Sequence, residues 1–142
     1  MKKIFLELIV LFFALVCSAV TDVLTEPLNL YGADHTSTGN YMVHNSEVSA
    51  VLDEKSGFIT AVFFNRNKIN IVDAIGPSLK DENLILSQIQ PIQDGFLVSF
   101  LSESFSVQTI LHLSGKTLFL STEVKNISQN EKSFSYYDIF DF

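Results

Sequence analysis

Glu47 to Asp73 reads EVSAVLDEKSGFITAVFFNRNKINIVD, and the spacing within it decides the fold class. Val48, Ala50 and Leu52 occupy one side of an alternation whose other side is Glu47, Ser49, Val51 and Asp53. A period of two gathers them on one face of a strand, where a helical period of 3.6 would scatter them. Glu54-Lys55-Ser56-Gly57 is a turn signal. The run Phe58 to Phe64 that follows is apolar at both parities, as in a strand covered on both faces. After the polar break Asn65-Arg66-Asn67, Lys68 to Val72 forms a third short β-branched run. Together these are a β-meander with its turns in place.

The same grammar continues on both sides. Upstream, Thr21 to Asn40 has no sustained period and is punctuated by Pro27, Gly32 and Gly39. It reads as a lead-in with one short strand near Leu28 to Tyr31, and Tyr41 to His44 opens the sheet. Downstream, Asp73 to Asn83 loses its alternation, with Gly76-Pro77-Ser78 read as a turn and Lys80 to Asn83 as a charged loop. This connection is expected to carry the chain from one sheet to another. Leu84 to Gln93 alternates again, and Pro91 confines it to an edge or a bulge. Asp94-Gly95 is expected to form the centre of a type I′ hairpin, both residues having positive φ. Phe96, Val98 and Phe100 then share a face, as do Phe105, Val107, Thr109, Leu111 and Leu113. Ser114-Gly115 turns the chain into Leu118, Leu120, Thr122 and Val124. A polar loop from Asn126 to Lys132 precedes a final aromatic strand, Ser133 to Phe142. About eight strands at roughly ten-residue spacing, without a helical stretch after the amino terminus, predict an all-β antiparallel sandwich.

The amino terminus has a different character. Lys2-Lys3 is a short basic region, Ile4 to Val16 an apolar one, and Cys17-Ser18-Ala19 a small-residue end suited to a leader peptidase. The apolar run is shorter than the roughly 20 residues that span a membrane, and Glu7 interrupts it. Export with cleavage near Ala19 is the reading adopted, to a secreted or periplasmic location. A lipid-modified Cys17 and an uncleaved anchor helix are its competitors, and Leu15-Val16 before the cysteine fits the lipid reading poorly. The chain thus divides into a signal peptide over 1–19, a lead-in over 20–40 and a sandwich over 41–142.

Composition narrows the function. The chain has 142 residues, which is one domain with room for a core, and 13 Phe and 4 Tyr to fill it. Its formal charge is −7, and no Lys/Arg cluster exists to neutralise phosphates. Nucleic acid and anionic membrane surfaces are therefore poor partners. The only cysteine, Cys17, lies within the leader, so the exported part has neither a disulfide nor a thiolate nucleophile.

No catalytic constellation stands out. His35, His44 and His112 show no metal-ligand spacing, so no metal or cofactor is expected. Asp138 and Asp141 fall on opposite faces of a strand, unlike a glycosidase pair. Asp53-Glu54 and Asp81-Glu82 read as solvated turn residues, and His112 as a solvated side chain on a polar face. Asn126-Ile127-Ser128 is an N-glycosylation acceptor if the source is eukaryotic. Tyr136 and Tyr137 point to opposite faces, so one of them is a candidate to stack on a sugar ring at the surface.

One resemblance bears on these residues. Val48, Ala50-Val51-Leu52-Asp53 and Ser56-Gly57-Phe58-Ile59-Thr60, followed by Val62 and an Asn-rich turn, resemble the start of galactose-mutarotase-like β-sandwich domains. Such supersandwiches occur in aldose epimerases and as domains of glycoside hydrolases and polysaccharide lyases. Their D-x-x-x-G-x-I step is matched by Asp53 to Ile59, and a later V-x-N-x-S by Val124 to Ser128, leading into the aromatic strand Phe134 to Phe142. The similarity covers about residues 45 to 142, the first part of such a domain. The epimerases' histidine and carboxylate lie beyond the aromatic strand, where this sequence stops, so no catalytic residue carries over. The resemblance implies an exported, non-catalytic, carbohydrate-associated sandwich, either a binding module or a fragment of a carbohydrate-active enzyme. The alternative is a structural or protein-interaction sandwich of the envelope or extracellular space that offers its edge strands to protein partners.

Overall fold

The computed structural model describes residues 18–26, 29–30, 33–34, 39–64 and 68–141; along 29–30, 33–34, 68–74 and 137–141 it describes the backbone alone. The apolar leader run and His35 lie outside the described residues, as does the side chain of Tyr137. Among the described residues there is no helix. The strands are β1 (Val20–Val23), β2 (Asn29–Leu30), β3 (Ala33–Asp34), β4 (Tyr41–His44), β5 (Val48–Leu52) and β6 (Ile59–Phe64). They continue with β7 (Lys68–Leu79), β8 (Ile85–Ile92), β9 (Gly95–Leu101), β10 (Phe105–Ser114), β11 (Thr117–Asn126) and β12 (Tyr136–Asp141). Six strands form one antiparallel sheet in the order β1-β4-β5-β6-β7-β12, and four form a second in the order β11-β10-β9-β8. β2 and β3 make a small ribbon on their own.

A single buried cluster joins the two sheets. Val43, Val48, Ala50, Leu52, Ile59 and Leu79 come from the larger sheet, and Phe96, Val98, Phe100, Phe105, Val107, Leu111 and Leu113 from the smaller. These are the inward parities of the alternating runs, so the sequence pattern became a two-layer β-sandwich. Each of these side chains larger than alanine contributes roughly 1.5–3 kcal/mol by leaving water. Hydroxyls also cross the gap: Tyr136 on β12 donates to Thr122 Oγ1 at 3.1 Å, and Thr122 pairs with Thr109 Oγ1 at 3.0 Å.

The larger sheet is covered on its second face too, where Leu24, Val51, Ala61 and Phe63 are buried with Met42 beside them. A register shift in the β6–β7 pairing between Ile59 and Ala61 makes this possible. Ile59, Ala61 and Phe63 share one parity, yet Ile59 faces the sandwich core and the other two face away. A bulge inverts the alternation at that point.

Three local expectations change. Gly76-Pro77-Ser78 is not a turn but the end of the long strand β7. The last β6–β7 pair is Ile59 with Ile75, so Pro77 lies where β7 is paired on one side only, with Asp138 of β12. There a missing N–H removes no ladder bond from a central position. The sheet change is confined to the short link after Leu79. The hairpin between β8 and β9 is also one residue earlier than expected. Ile92 pairs with Gly95, which leaves Gln93 and Asp94 as the turn, and Asp94 alone has positive φ, at 58°. Finally, Val20–Val23, within the lead-in, is an edge strand of the larger sheet paired with β4.

Candidate functional site

The four-stranded sheet turns one face to the core and the other to solvent. Strand register sets what the outer face carries. Gln88, Ser99, Gln108 and Glu123 lie side by side across the four strands in one row. The next row is Gln90, Leu97, Ile110 and Ser121, and the one beyond it ends in His112 and Phe119. Phe119 is 53% exposed and meets His112 edge to face, with ring centroids 6.3 Å apart. His112 is therefore half-buried against an aromatic ring and not simply solvated. Ser106, Gln108, Glu123 and Lys125 surround a shallow depression of about 260 Å³. The face thus offers three amides, several hydroxyls, one carboxylate, one ammonium and an aromatic plate, all on rigid strands. The apolar sets read from the sequence leave these residues on the opposite faces but do not join them, because cross-strand rows exist only once register is known.

A second region lies at one end of the sandwich. The connection from β7 to β8, the turn from β9 to β10 and the loop after β11 enclose a cleft of about 840 Å³. Lys132 donates to Ser104 Oγ and stands 3.7 Å from Glu82. The Glu82 side chain is only 15% exposed, which corrects its reading as a solvated turn residue. Hydrogen bonding from Ser102 is the main cause holding its carboxyl below the usual carboxylate range; Ser104 and Lys132 act in the same sense, and partial desolvation opposes them. A serine beside a lysine invites a nucleophilic reading, but that chemistry needs a neutral amine. Here Lys132 instead donates to the serine oxygen, and Ser104 is buried. The arrangement ties three loops together, including both passages between the sheets.

That tie has a pH dependence of definite sign. Because Glu82 titrates lower in the folded chain than in the unfolded one, its contribution is fully present above the ordinary carboxylate range. It is lost as pH falls through that range and then through the depressed folded value. Glu82→Gln is expected to flatten the acid limb of a melting-temperature profile while leaving its shape above neutrality unchanged. An unaltered acid limb would contradict the assignment.

The other sequence candidates are dispersed. Tyr136 is half-buried against the core with its hydroxyl engaged by Thr122, which places it between the sheets. Asn126 is exposed at the end of β11; its Oδ1 accepts from both the N–H and hydroxyl of Ser128, and its Nδ2 donates to the Asn130 carbonyl. His44 contacts Asp22 at 3.0 Å across the β1–β4 edge, far from His112. Among the described residues no group of three His, Cys, Asp or Glu is placed to hold a metal ion. A gap of about 20 Å³ between the sheets, near Phe100 and Gly76, is too small for a ligand.

Comparison with family models, curated proteins and solved structures returns no match. The class defined by the structure is accordingly the architecture itself, an all-β antiparallel sandwich with an open four-stranded face.

Proposed function

We propose that this protein is an exported, non-catalytic carbohydrate-associated sandwich whose four-stranded outer face binds a neutral glycan. One observation carries the reading: the rows of Gln88, Gln90 and Gln108 with Ser99, Ser106 and Ser121, lying beside exposed Phe119. Uncharged amides and hydroxyls match the donors and acceptors of sugar hydroxyls, and an aromatic ring offers an apolar face for a pyranose. The net charge of −7 disfavours acidic polysaccharides.

Retention on a panel of insoluble neutral polysaccharides tests it. The wild-type chain is expected to bind at least one of them. Phe119→Ala and Gln108→Ala are each expected to weaken that binding by about tenfold, the effect of losing roughly 1.4 kcal/mol. Both side chains are exposed, so melting temperatures should stay within error of wild type.

The second reading, partner capture through an edge strand, is favoured by β11. It is a ten-residue edge of the smaller sheet without proline, whereas the opposite edge β8 carries Pro91 and a register shift at Leu86/Gln88. No retention on any sugar, together with capture of a protein partner lost on Thr122→Pro, would overturn the first reading in favour of this one.

A further inference from the structure

We propose that Asp94 is the seat of the amino terminus created when the leader is removed, and that the cut falls between Ser18 and Ala19. The inference rests on the export reading above. Ala19 N–H donates to Asp94 Oδ1 at 2.7 Å, across 75 residues of sequence. Ala19 packs half-buried against the sandwich core, Ser18 before it is exposed, and β1 begins at the next residue, Val20. Asp94 is itself half-buried and fixed by its turn, where its carbonyl accepts the N–H of Leu113 at 2.9 Å. Among the described residues no Lys, Arg or His lies within ion-pair distance of its carboxylate. A part-buried carboxylate that holds a neutral amide would hold an ammonium more strongly, because the hydrogen bond becomes charge-assisted.

Hydrolysis supplies that ammonium. Water adds across the Ser18–Ala19 amide: the hydroxyl goes to the Ser18 carbonyl carbon, which departs with the leader as a carboxylate. The Ala19 nitrogen takes up protons to become an α-ammonium, the charged form below about pH 8. The catalyst is an export-coupled leader peptidase acting on the extended chain, before β1 docks on β4. Small residues precede two adjacent bonds here, Ser18–Ala19 and Ala19–Val20, and the sequence division at residue 19 corresponds to the second. Tertiary structure separates them. A cut after Ala19 discards the nitrogen that Asp94 holds and leaves the Ala19 place against the core empty.

The test uses the full chain expressed with its own leader in an exporting host, followed by intact mass and amino-terminal sequencing. A first residue of Ala19 supports the inference. A first residue of Val20, or a lipid-modified Cys17, overturns it while leaving export standing, and an intact Met1 in all fractions overturns both. Asp94→Asn supplies a second measurement, since Asn tolerates the positive φ of that turn position. In the processed chain it is expected to lower the melting temperature by about 4 °C. In a chain carrying extra residues ahead of Ser18 the loss should be less than half of that. Equal losses in the two chains would overturn the assignment of Asp94 as the seat.

Discussion

Phe100→Ala is expected to lower stability by about 3–5 kcal/mol, the range for removing a buried aromatic ring from a packed core. Phe100 is 1% exposed and belongs to the cluster that joins the two sheets. Its ring meets Phe58 edge to face, with centroids 6.1 Å apart and planes at 64°, so a specific aromatic contact is lost with the buried area. It also borders the small gap between the sheets, so truncation enlarges a void that rigid strands cannot close. Total stabilities of single domains are commonly about 5–15 kcal/mol. With one cysteine in these 142 residues no disulfide within them can make up the loss, so much of the margin would disappear. The urea midpoint measures the loss. Phe119→Ala is the control: the same deletion on an exposed ring is expected to cost under about 0.5 kcal/mol. Equal effects for the two would mean that the sandwich interior is wrongly assigned.

Gly95→Ala is expected to cost about 3 kcal/mol, at the upper end for overpacking. A Cβ built on Gly95 lies 1.9 Å from the Leu111 carbonyl oxygen and 2.9 Å from its carbon, both backbone atoms of β10. No rotamer relieves that contact. The strands must part where Gly95 pairs with His112, beside the bond from Leu113 N–H to the Asp94 carbonyl. The reason for this glycine differs from the one the Asp-Gly motif implies. In a type I′ turn centred on Asp94-Gly95, glycine would be needed for positive φ, and Asn would replace it at little cost. With the turn one residue earlier, Gly95 is needed for closeness, and Gly95→Asn should be at least as damaging as Gly95→Ala. Gly115 is the opposite case, with φ of 56° and open space around its Cβ position. Gly115→Ala is therefore expected to cost only about 1 kcal/mol, from the left-handed backbone alone. Thermal melts of the three variants distinguish the two accounts of Gly95.

How far the sites were legible follows from the same distinction. Gln108, His112, Phe119 and Glu123 could be placed on the outward parity of their strands from alternation alone. Their association with Gln88 and Ser99 could not, because it depends on the register of β8 and on its shift near Leu86/Gln88. Glu82 and Lys132 read as ordinary polar loop residues in the sequence, and Ser104 as the polar start of a strand alternation. They lie up to 50 positions apart and meet because both passages between the sheets end at the same side. Tyr136 was legible as an aromatic on a terminal strand, but not that Thr122 would take its hydroxyl.

Alternation of apolar residues, turn residues at regular intervals and the absence of a helical period determined the strands and their inward faces by themselves, because side-chain direction in a strand is a local property. In the opening stretch this holds for Val48, Ala50 and Leu52, whose inward face follows from alternation alone. Tertiary structure decided which strands became neighbours, where the bulge at Ile59–Ala61 inverted a face, why Gly95 is glycine, and which carboxylate meets the nitrogen of Ala19. Those outcomes depend on contacts between residues distant in sequence, and such contacts are set by packing and register, to which a local pattern has no access.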